Sequence, residues 1–300
     1  MTTTKWLACA ITYEPTSEQI ERVCAQLTLL GGKTVVHDNS VTADSRERVH
    51  ATCAANGVEV VSAEGNVGSA GGLNNLLSHA AERGLMWLVY FDQDSRLGEG
   101  YGECLSRLDE CPTDVAMVGS RYRHPREGFP AGPDPTSAML ETRFVIASGT
   151  AMRTSALLEV DGFDRRMFLD VVDHEICMRL RRAGWKLLVD TARVMMHEIG
   201  EDSTIVLRRV RISRHPLWRR YQMWRNSITL MRRYVWSYPG ECLSHLAVRL
   251  VETLGGAVHY REPRYITTAV RGAGAGLFGS SRRQGYSAPD VPGRAGLSGA

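Results

Sequence analysis

No run in the 300 residues comes near the roughly 18 consecutive apolar positions that a membrane-crossing helix needs, which sets aside a membrane-spanning protein. The opening Met1-Thr2-Thr3-Thr4-Lys5 leads into an apolar stretch too short and too poorly flanked for a secretory signal. A cytoplasmic chain, at most peripheral on the inner face of the cell membrane, is therefore expected. Cysteine occurs seven times, an odd number with no Cys-x-x-Cys pair, so neither a disulfide framework nor a zinc ribbon is implied; the thiols read as reduced and buried. Acidic residues are missing altogether from Ser203 to Gly240, where nine arginines stand, so the net charge of +3 conceals a segment suited to phosphates. Enough apolar residues remain, 43% of the chain, for one large α/β domain with an appendage or for two small domains.

Apolar runs at Trp6–Ile11, Lys33–Val36, Val58–Val61 and Met86–Phe91 read as buried strands. Between them, Ser17–Leu30, Ser45–Ala55 and Gly71–Arg83 carry helical spacing. Such alternation predicts a parallel sheet with both faces covered and a ligand crevice along one edge. Further strands are expected at Val115–Gly119, Arg143–Ala147, Lys186–Val189 and Arg193–Met196, and a helix at Val172–Ala183. The Pro/Gly-rich stretch Arg121–Pro135 should cover the crevice or join two halves of the domain. From Leu217 to Val235 apolar residues recur every three or four positions, a helix with one sticky face. Catalytic residues 1–205 (a nucleotide-binding half to about 95, then a catalytic and acceptor half), a basic helical extension over 206–270 and a disordered tail over 271–300 make up the expected organisation.

The most informative stretch is Trp87-Leu88-Val89-Tyr90-Phe91-Asp92-Gln93-Asp94-Ser95, five apolar residues running into two carboxylates. Ligand crevices lie at the carboxyl ends of strands in α/β domains, and there Asp92 and Asp94 offer hard oxygen ligands to Mg²⁺ or Mn²⁺ beside a substrate phosphate. A solvated turn with Asp94 capping a helix is the plainer alternative. The turn Gly65-Asn66-Val67-Gly68 before Asn74 lets backbone approach a ligand, yet its spacing fits neither a dinucleotide fingerprint nor a P-loop. Asp38, ending the neighbouring strand, could accept the imide N–H of uracil or thymine. Phe168-Leu169-Asp170-Val171-Val172-Asp173-His174-Glu175 places three further carboxylates at a helix start, where one could serve as a general base and where ordinary capping is the alternative. His174 reads as a solvated face residue. His197, at a strand end, is a candidate third metal ligand or diphosphate donor, or a structural histidine.

Ile11-Thr12-Tyr13, Asp38-Asn39-Ser40, Asn66-x-Gly68 with Asn74, Asp92-Gln93-Asp94-Ser95, Ser148-Gly149, Gly162-Phe163-Asp164, Asp170-x-x-Asp173-x-Glu175, His197-x-x-Gly200 and Arg219-Arg220-Tyr221-x-x-x-Arg225-Asn226 follow the order found in family 2 glycosyltransferases. From Trp6 to Arg233 the chain resembles their bacterial rhamnosyltransferase branch. That resemblance implies a GT-A fold, an α/β architecture with a Rossmann-like, mostly parallel sheet and helices on both faces, extended by C-terminal helices. It also implies a nucleotide-diphospho-sugar donor, a divalent metal and inversion at the anomeric carbon. Thr12, Tyr13, Asp38, Asn66, Gly68 and Asn74 would hold the nucleoside, and Asp92 its ribose or the metal's waters. Asp94 would ligate the metal, with Asp92 and His197 as further candidates, and Asp173 would be the base. Arg220, Tyr221 and Arg225 would close over the diphosphate, while Ser148, Gly149, Asp170 and Glu175 would line the sugar or acceptor pocket. Tyr221-Gln222 departs from the Tyr-Tyr common among relatives.

L-Rhamnose from dTDP-rhamnose is the favoured donor, moved to a hydroxyl of a cell-surface polysaccharide or lipid-linked glycan. A UDP-sugar donor carrying galactofuranose, glucose or N-acetylglucosamine is the alternative, since no residue in the sequence reads the sugar directly. A nucleotidyltransferase would also use strand-end carboxylates but lacks its early glycine-rich loop here. Nucleic-acid binding, the other class the arginines suggest, is not expected without a recognisable motif. Arg232, Arg233 and Trp236, at the far end of the basic helix, are expected to meet lipid headgroups, with packing on the catalytic domain or a dimer contact as the alternative. Homo-oligomer formation is left open.

Overall fold

The computed structural model describes residues 5–98, 100–123, 139–197, 203–206 and 210–279. Its first third alternates strictly: β1 (Trp6–Thr12), α1 (Ser17–Leu30), β2 (Lys33–Asp38), α2 (Ala43–Ala55), β3 (Glu59–Ser62), α3 (Gly68–Glu82) and β4 (Trp87–Asp92). The four strands are parallel in the order β3-β2-β1-β4. Side chains alternate across a strand, and β1 shows why both sheet faces need cover. Leu7, Cys9 and Ile11 join a core beneath α3, whereas Ala8 and Ala10 join a second one beneath α1. A capping box, Thr16 with Gln19, fixes the start of α1.

Beyond β4 the sheet becomes mixed. β5 (Ser95–Leu97), β6 (Val115–Arg123), β7 (Met139–Thr142), β8 (Thr150–Arg153), α4 (Thr154–Glu159), α5 (Val172–Arg182) and β9 (Lys186–His197) follow. β8 inserts antiparallel between β4 and β6, while β9 runs parallel to β6 and antiparallel to β5 and β7. A hairpin of β10 (Ser203–Val206) and β11 (Val210–Ser213) leads to α6 (Leu217–Tyr234), α7 (Pro239–His259) and α8 (Arg264–Phe278). Contacts between α6 and α7 pair rising with falling numbers, as in Trp224 with Thr253 and Ser227 with His245, so these helices are antiparallel.

Three expectations change. Arg143–Ala147 is not a strand: Val145 and Ala147 are buried in the core, but the chain turns at Ser148-Gly149 before β8 begins. Gly149 makes that turn with φ 72°, and its N–H donates to the Tyr90 carbonyl at 2.8 Å. The two short strands expected from Lys186 to Met196 form one, β9, although its register against β6 shifts between Ser120 and Arg121. Residues 271–278, expected as tail, are helical. Their glycines serve close packing, since a Cβ on Gly272 would lie 2.5 Å from the Tyr221 carbonyl oxygen. The remaining tail, 280–300, lies outside the described residues, as does the Pro/Gly-rich stretch from 124 onward.

Candidate active site

Three neighbouring strand ends build the first part of the site. Because β1, β2 and β4 are parallel, Thr12, Asp38 and Asp92 emerge along one edge. Asp38 is only 2% exposed. Its Oδ1 accepts from the Thr12 hydroxyl at 3.2 Å and from the Ser40 N–H at 3.0 Å. Oδ2 is equally buried and has no hydrogen-bond partner among the described residues. A buried acceptor left unmatched is costly, and such atoms mark places where a ligand donor fits. Tyr13, by contrast, is exposed beside it, its main chain held by the Gln93 side chain: the Tyr13 N–H donates to Oε1 at 2.8 Å and Gln93 Nε2 donates to the Tyr13 carbonyl at 3.3 Å. Asn66 shapes the next turn, its Oδ1 accepting from the Gly68 N–H at 2.8 Å.

Carboxylates crowd the end of β4. Asp92 accepts a short hydrogen bond from the Tyr90 hydroxyl, and its N–H donates to Ser148 Oγ at 2.9 Å. Ser148 also meets Ser95 Oγ at 2.7 Å. Ser148 and Gly149 are thus buried supports of the acidic turn instead of pocket walls, because their polar groups already have protein partners. Across the crevice, α5 starts from a strained turn in which Phe168, Asp170 and Val171 have φ of 57°, 60° and 65°. A β-branched residue in the left-handed region is a true outlier, and strain of this kind persists only where its surroundings hold it. Gly68 provides one contact: any Cβ there would overlap Phe168.

One face of α6 provides the rest. Arg219 pairs with both oxygens of Asp170, at 3.1 and 2.9 Å. Asn226 Nδ2 reaches the carbonyls of Met167, Leu169 and Asp170 at 2.7, 2.8 and 3.1 Å. Arg233 meets Asp164 at 2.6 Å. The turn so fixed leads into Asp173, the second residue of α5. Burial first, then the charge of Asp92, push the Asp173 carboxyl up to about 7, against a hydrogen bond from the Ala147 main chain and with a further push from Asp170. A carboxyl poised near neutrality and facing other carboxylates suits proton abstraction. Burial opposes the charge of Arg219, but the Asp170 pairing and the charges of Asp94 and Asp92 outweigh it and raise its pKa. Arg219 thus feels the charges of the acidic turn, and sequence reasoning passed over it.

Several expected ligand contacts are committed elsewhere. Asn74 is fully buried, donating to the Phe163 carbonyl at 2.9 Å and accepting from its N–H at 2.8 Å; neither end of the amide is left for a base. Arg220 points away from the acidic turn, bonded to the Ser213 carbonyl at 2.8 Å and stacked 3.6 Å from the Tyr265 ring centroid. Arg225 donates to the Arg166 carbonyl and to Asn226 Oδ1, and the main chain of Tyr221 is covered by α8 at Gly272. Glu175 lies inside an ionic knot with Arg179, Arg233 and the Tyr234 hydroxyl. His174 is not solvated: it stacks between Phe144 and His245, with ring centroids at 4.3 and 4.6 Å, and burial pushes its pKa down to about 4. The main chain of His197 pairs with Ser95, but its side chain lies outside the described residues.

Arg233 is likewise withdrawn from any lipid surface. Arg233→Ala would leave two almost fully buried carboxylates, Asp164 and Glu175, short of a cation. Breaking a buried pair from one side costs about 3 kcal/mol or more. Calorimetry should show a clear fall in the thermal midpoint for Arg233→Ala and little change for Arg232→Ala, whose guanidinium sits on the carbonyls of Gly276 and Gly279 at a more exposed position. Equal midpoints for the two would contradict the assignment.

A cavity of about 920 Å³ opens between α5 and α7, walled by Phe144, His174, Tyr238, His245 and the Arg181–Glu241 pair. Among the described residues no cluster of three or more metal-ligating side chains occurs. The donor set nevertheless suits a divalent cation that takes one or two carboxylates and completes its shell with substrate phosphate and water. Asp92 and Asp94 would be its oxygen donors, and the upward push that Asp92 exerts on Asp173 is what a cation there would relieve.

Solved structures share the fold. GalNAc-T7 with UDP, GalNAc and Mn²⁺ superposes with a TM-score of 0.58 at 11% identity, over 79% of this chain and 49% of that one. The mannosyltransferase PcManGT of Pyrobaculum calidifontis, in complex with GDP-Man and Mn²⁺, gives 0.56 at 16% identity, over 92% and 76% of the two chains. TarS 1-349 of S. aureus in complex with UDP-GlcNAc gives 0.58 at 12% identity over 91% and 81%. The fold is GT-A. In sequence, the dTDP-rhamnosyl transferase RfbF of Shigella flexneri is 24% identical over 245 residues, 75% of this chain and 79% of that protein. No family model matches. The chain spans about half the length of GalNAc-T7.

Proposed function

We propose that the chain is an inverting, divalent-metal-dependent glycosyltransferase that moves a sugar, L-rhamnose from dTDP-rhamnose foremost, to a hydroxyl of a cell-surface or lipid-linked glycan. The observation that carries the reading is the group of carboxylates gathered where β4 ends and α5 begins, within a GT-A fold. Likeness to RfbF, a dTDP-rhamnosyl transferase, supports the donor. Asp38 Oδ2 accepts the base imide N–H, and the exposed Tyr13 ring covers the base. Asp173 takes the proton of the acceptor hydroxyl as its oxygen attacks the anomeric carbon from the face opposite the departing diphosphate. A Mg²⁺ or Mn²⁺ ion held by Asp94 and Asp92 would neutralise negative charge on that diphosphate. Arg219 stands beside the same charges and keeps Asp170 turned toward them. The cavity walled by Phe144, His174 and Tyr238 receives the acceptor, its aromatic faces suited to a sugar ring.

Uracil and thymine both present the imide N–H, so a UDP-sugar is the second reading of the same pocket. Asp38→Asn distinguishes base recognition from mere folding: Oδ1 and its two protein bonds survive, while Oδ2 becomes a donor aimed at a donor. Binding of dTDP and UDP should weaken at least tenfold, in line with about 1.5–3 kcal/mol for a hydrogen bond to a charged group. CDP, whose base offers an acceptor at that position, should lose nothing. A thermal-shift titration with the three nucleotides, followed by turnover with dTDP-rhamnose and UDP-sugars, decides base and sugar in turn. Unchanged dTDP affinity in Asp38→Asn would remove Asp38 from the base site.

A further inference from the structure

Helices α7 and α8 bury mostly small residues and leave many large apolar ones outside. A helix on a soluble domain turns its large apolar side chains to the core, yet α8 presents Ala269, Gly272 and Gly276 to α6 and leaves Ile266, Val270, Leu277 and Phe278 exposed. α7 does the same: Thr253, Gly256 and Ala257 are buried, while Leu243, Leu250, Leu254 and Val258 face outward along one stripe. Exposure is high where it decides the matter, 79% at Val258, 68% at Val270 and 90% at Phe278. Trp236, 93% exposed, stands at the same end as Phe278, because Arg232 ties the end of α6 to the carbonyls of Gly276 and Gly279. Aromatic residues at the rim of an apolar face are characteristic of contact with a lipid interface.

Charge selects the occupant. From residue 213 to 278 the exposed charged residues are Arg214, Arg232, Arg261, Arg264 and Arg271. The carboxylates of this stretch, Glu241, Glu252 and Glu262, are half-buried and each is paired with an arginine. A second copy of the chain would bring arginines against arginines, whereas an anionic bilayer complements them. We infer that the outward face of the α7–α8 hairpin lies on an anionic lipid surface, its apolar stripes in the acyl boundary and Arg261 and Arg271 among the headgroups. This contact shares Trp236 with the helix-end contact expected from sequence but not Arg233, which is buried in ion pairs. It does not depend on the identity of the sugar.

Vesicle co-sedimentation with the full chain tests the inference. Wild type should pellet with phosphatidylglycerol-containing vesicles at least tenfold more than with phosphatidylcholine alone, and the excess should fall as salt is raised. Leu254→Glu with Val270→Glu should lose that binding at least tenfold with an unchanged circular dichroism spectrum and thermal midpoint, since both positions are exposed. Arg261→Ala with Arg271→Ala should lose the salt-sensitive part alone. Any of three results would overturn the inference: wild type remaining in the supernatant, the Glu variant binding as wild type does, or light scattering showing a stable dimer that the Glu variant converts to monomer. Nucleotide thermal shifts should be the same in all variants, which separates this surface from the donor site.

Discussion

Asp173→Asn is expected to reduce turnover by roughly a hundredfold or more and, at neutral pH, to make the protein harder to melt. The first effect follows from the loss of the base, whose contribution is typically of that size. The second follows from the direction in which burial and Asp92 move the carboxyl, from an ordinary 3.8 up to about 7. Below about pH 4 the group is protonated in both folded and unfolded chains and makes no difference. As pH rises toward 7 the unfolded chain releases the proton readily while the folded chain holds it, so stability is lost with rising pH. An uncharged, isosteric asparagine avoids that loss. Without divalent ion, the midpoint of Asp173→Asn should therefore match wild type near pH 4 and exceed it by a few degrees near pH 8, with donor affinity little changed. Normal turnover together with superimposable melting curves at both pH values would rule out Asp173 as the base.

For Asp94→Asn, loss of activity should be complete within detection, and for a different reason. The side chain stands in the turn closing β4, beside Asp92 and within the field that raises the Arg219 pKa. Asparagine keeps its shape but removes one of two anionic oxygen donors, leaving Asp92 to hold the cation. Mn²⁺ titration followed by electron paramagnetic resonance should show at least tenfold weaker binding in the variant, and chelation should silence the wild type. A folded Asp94→Asn protein that turns over normally in EDTA would refute the metal assignment.

How much of this could be read from the sequence varies with the range of the forces involved. β1 to β4 follow from short continuous apolar runs and from helices of plain 3.6-residue spacing, signals that need only neighbouring residues. The acidic turn after β4 and Asp173 were likewise legible as carboxylates at a strand end and a helix start. Asn74 was not: its amide is satisfied by Phe163, 89 residues away, a pairing with no local trace. The choice among the α6 arginines failed by a single position. Successive helical residues point about 100° apart, so Arg219 meets Asp170 while Arg220 stacks on Tyr265. A signal was available, because Arg219, Asn226 and Arg233 recur at intervals of seven and share a face, and all three reach the turn before α5. Arg143–Ala147 misled because apolar residues next to a left-handed glycine can be buried without joining a ladder.

That shared face of α6 bears on when the enzyme becomes competent during synthesis. Domains generally assemble from the N-terminus as the chain emerges, and β1 to β9 contain every strand of the main sheet. A nascent chain that has reached only β9 can complete the sheet and bring Asp92, Asp94 and Asp38 into line, yet Asp170 has no Arg219 and the carbonyls of Met167 and Leu169 have no Asn226. The turn that aims Asp173 becomes fixed only after α6 arrives. On the growing chain, the strand-end carboxylates thus come into line before the turn ahead of Asp173 is fixed, and the proposed site is complete only once the α6 residues have left the ribosome.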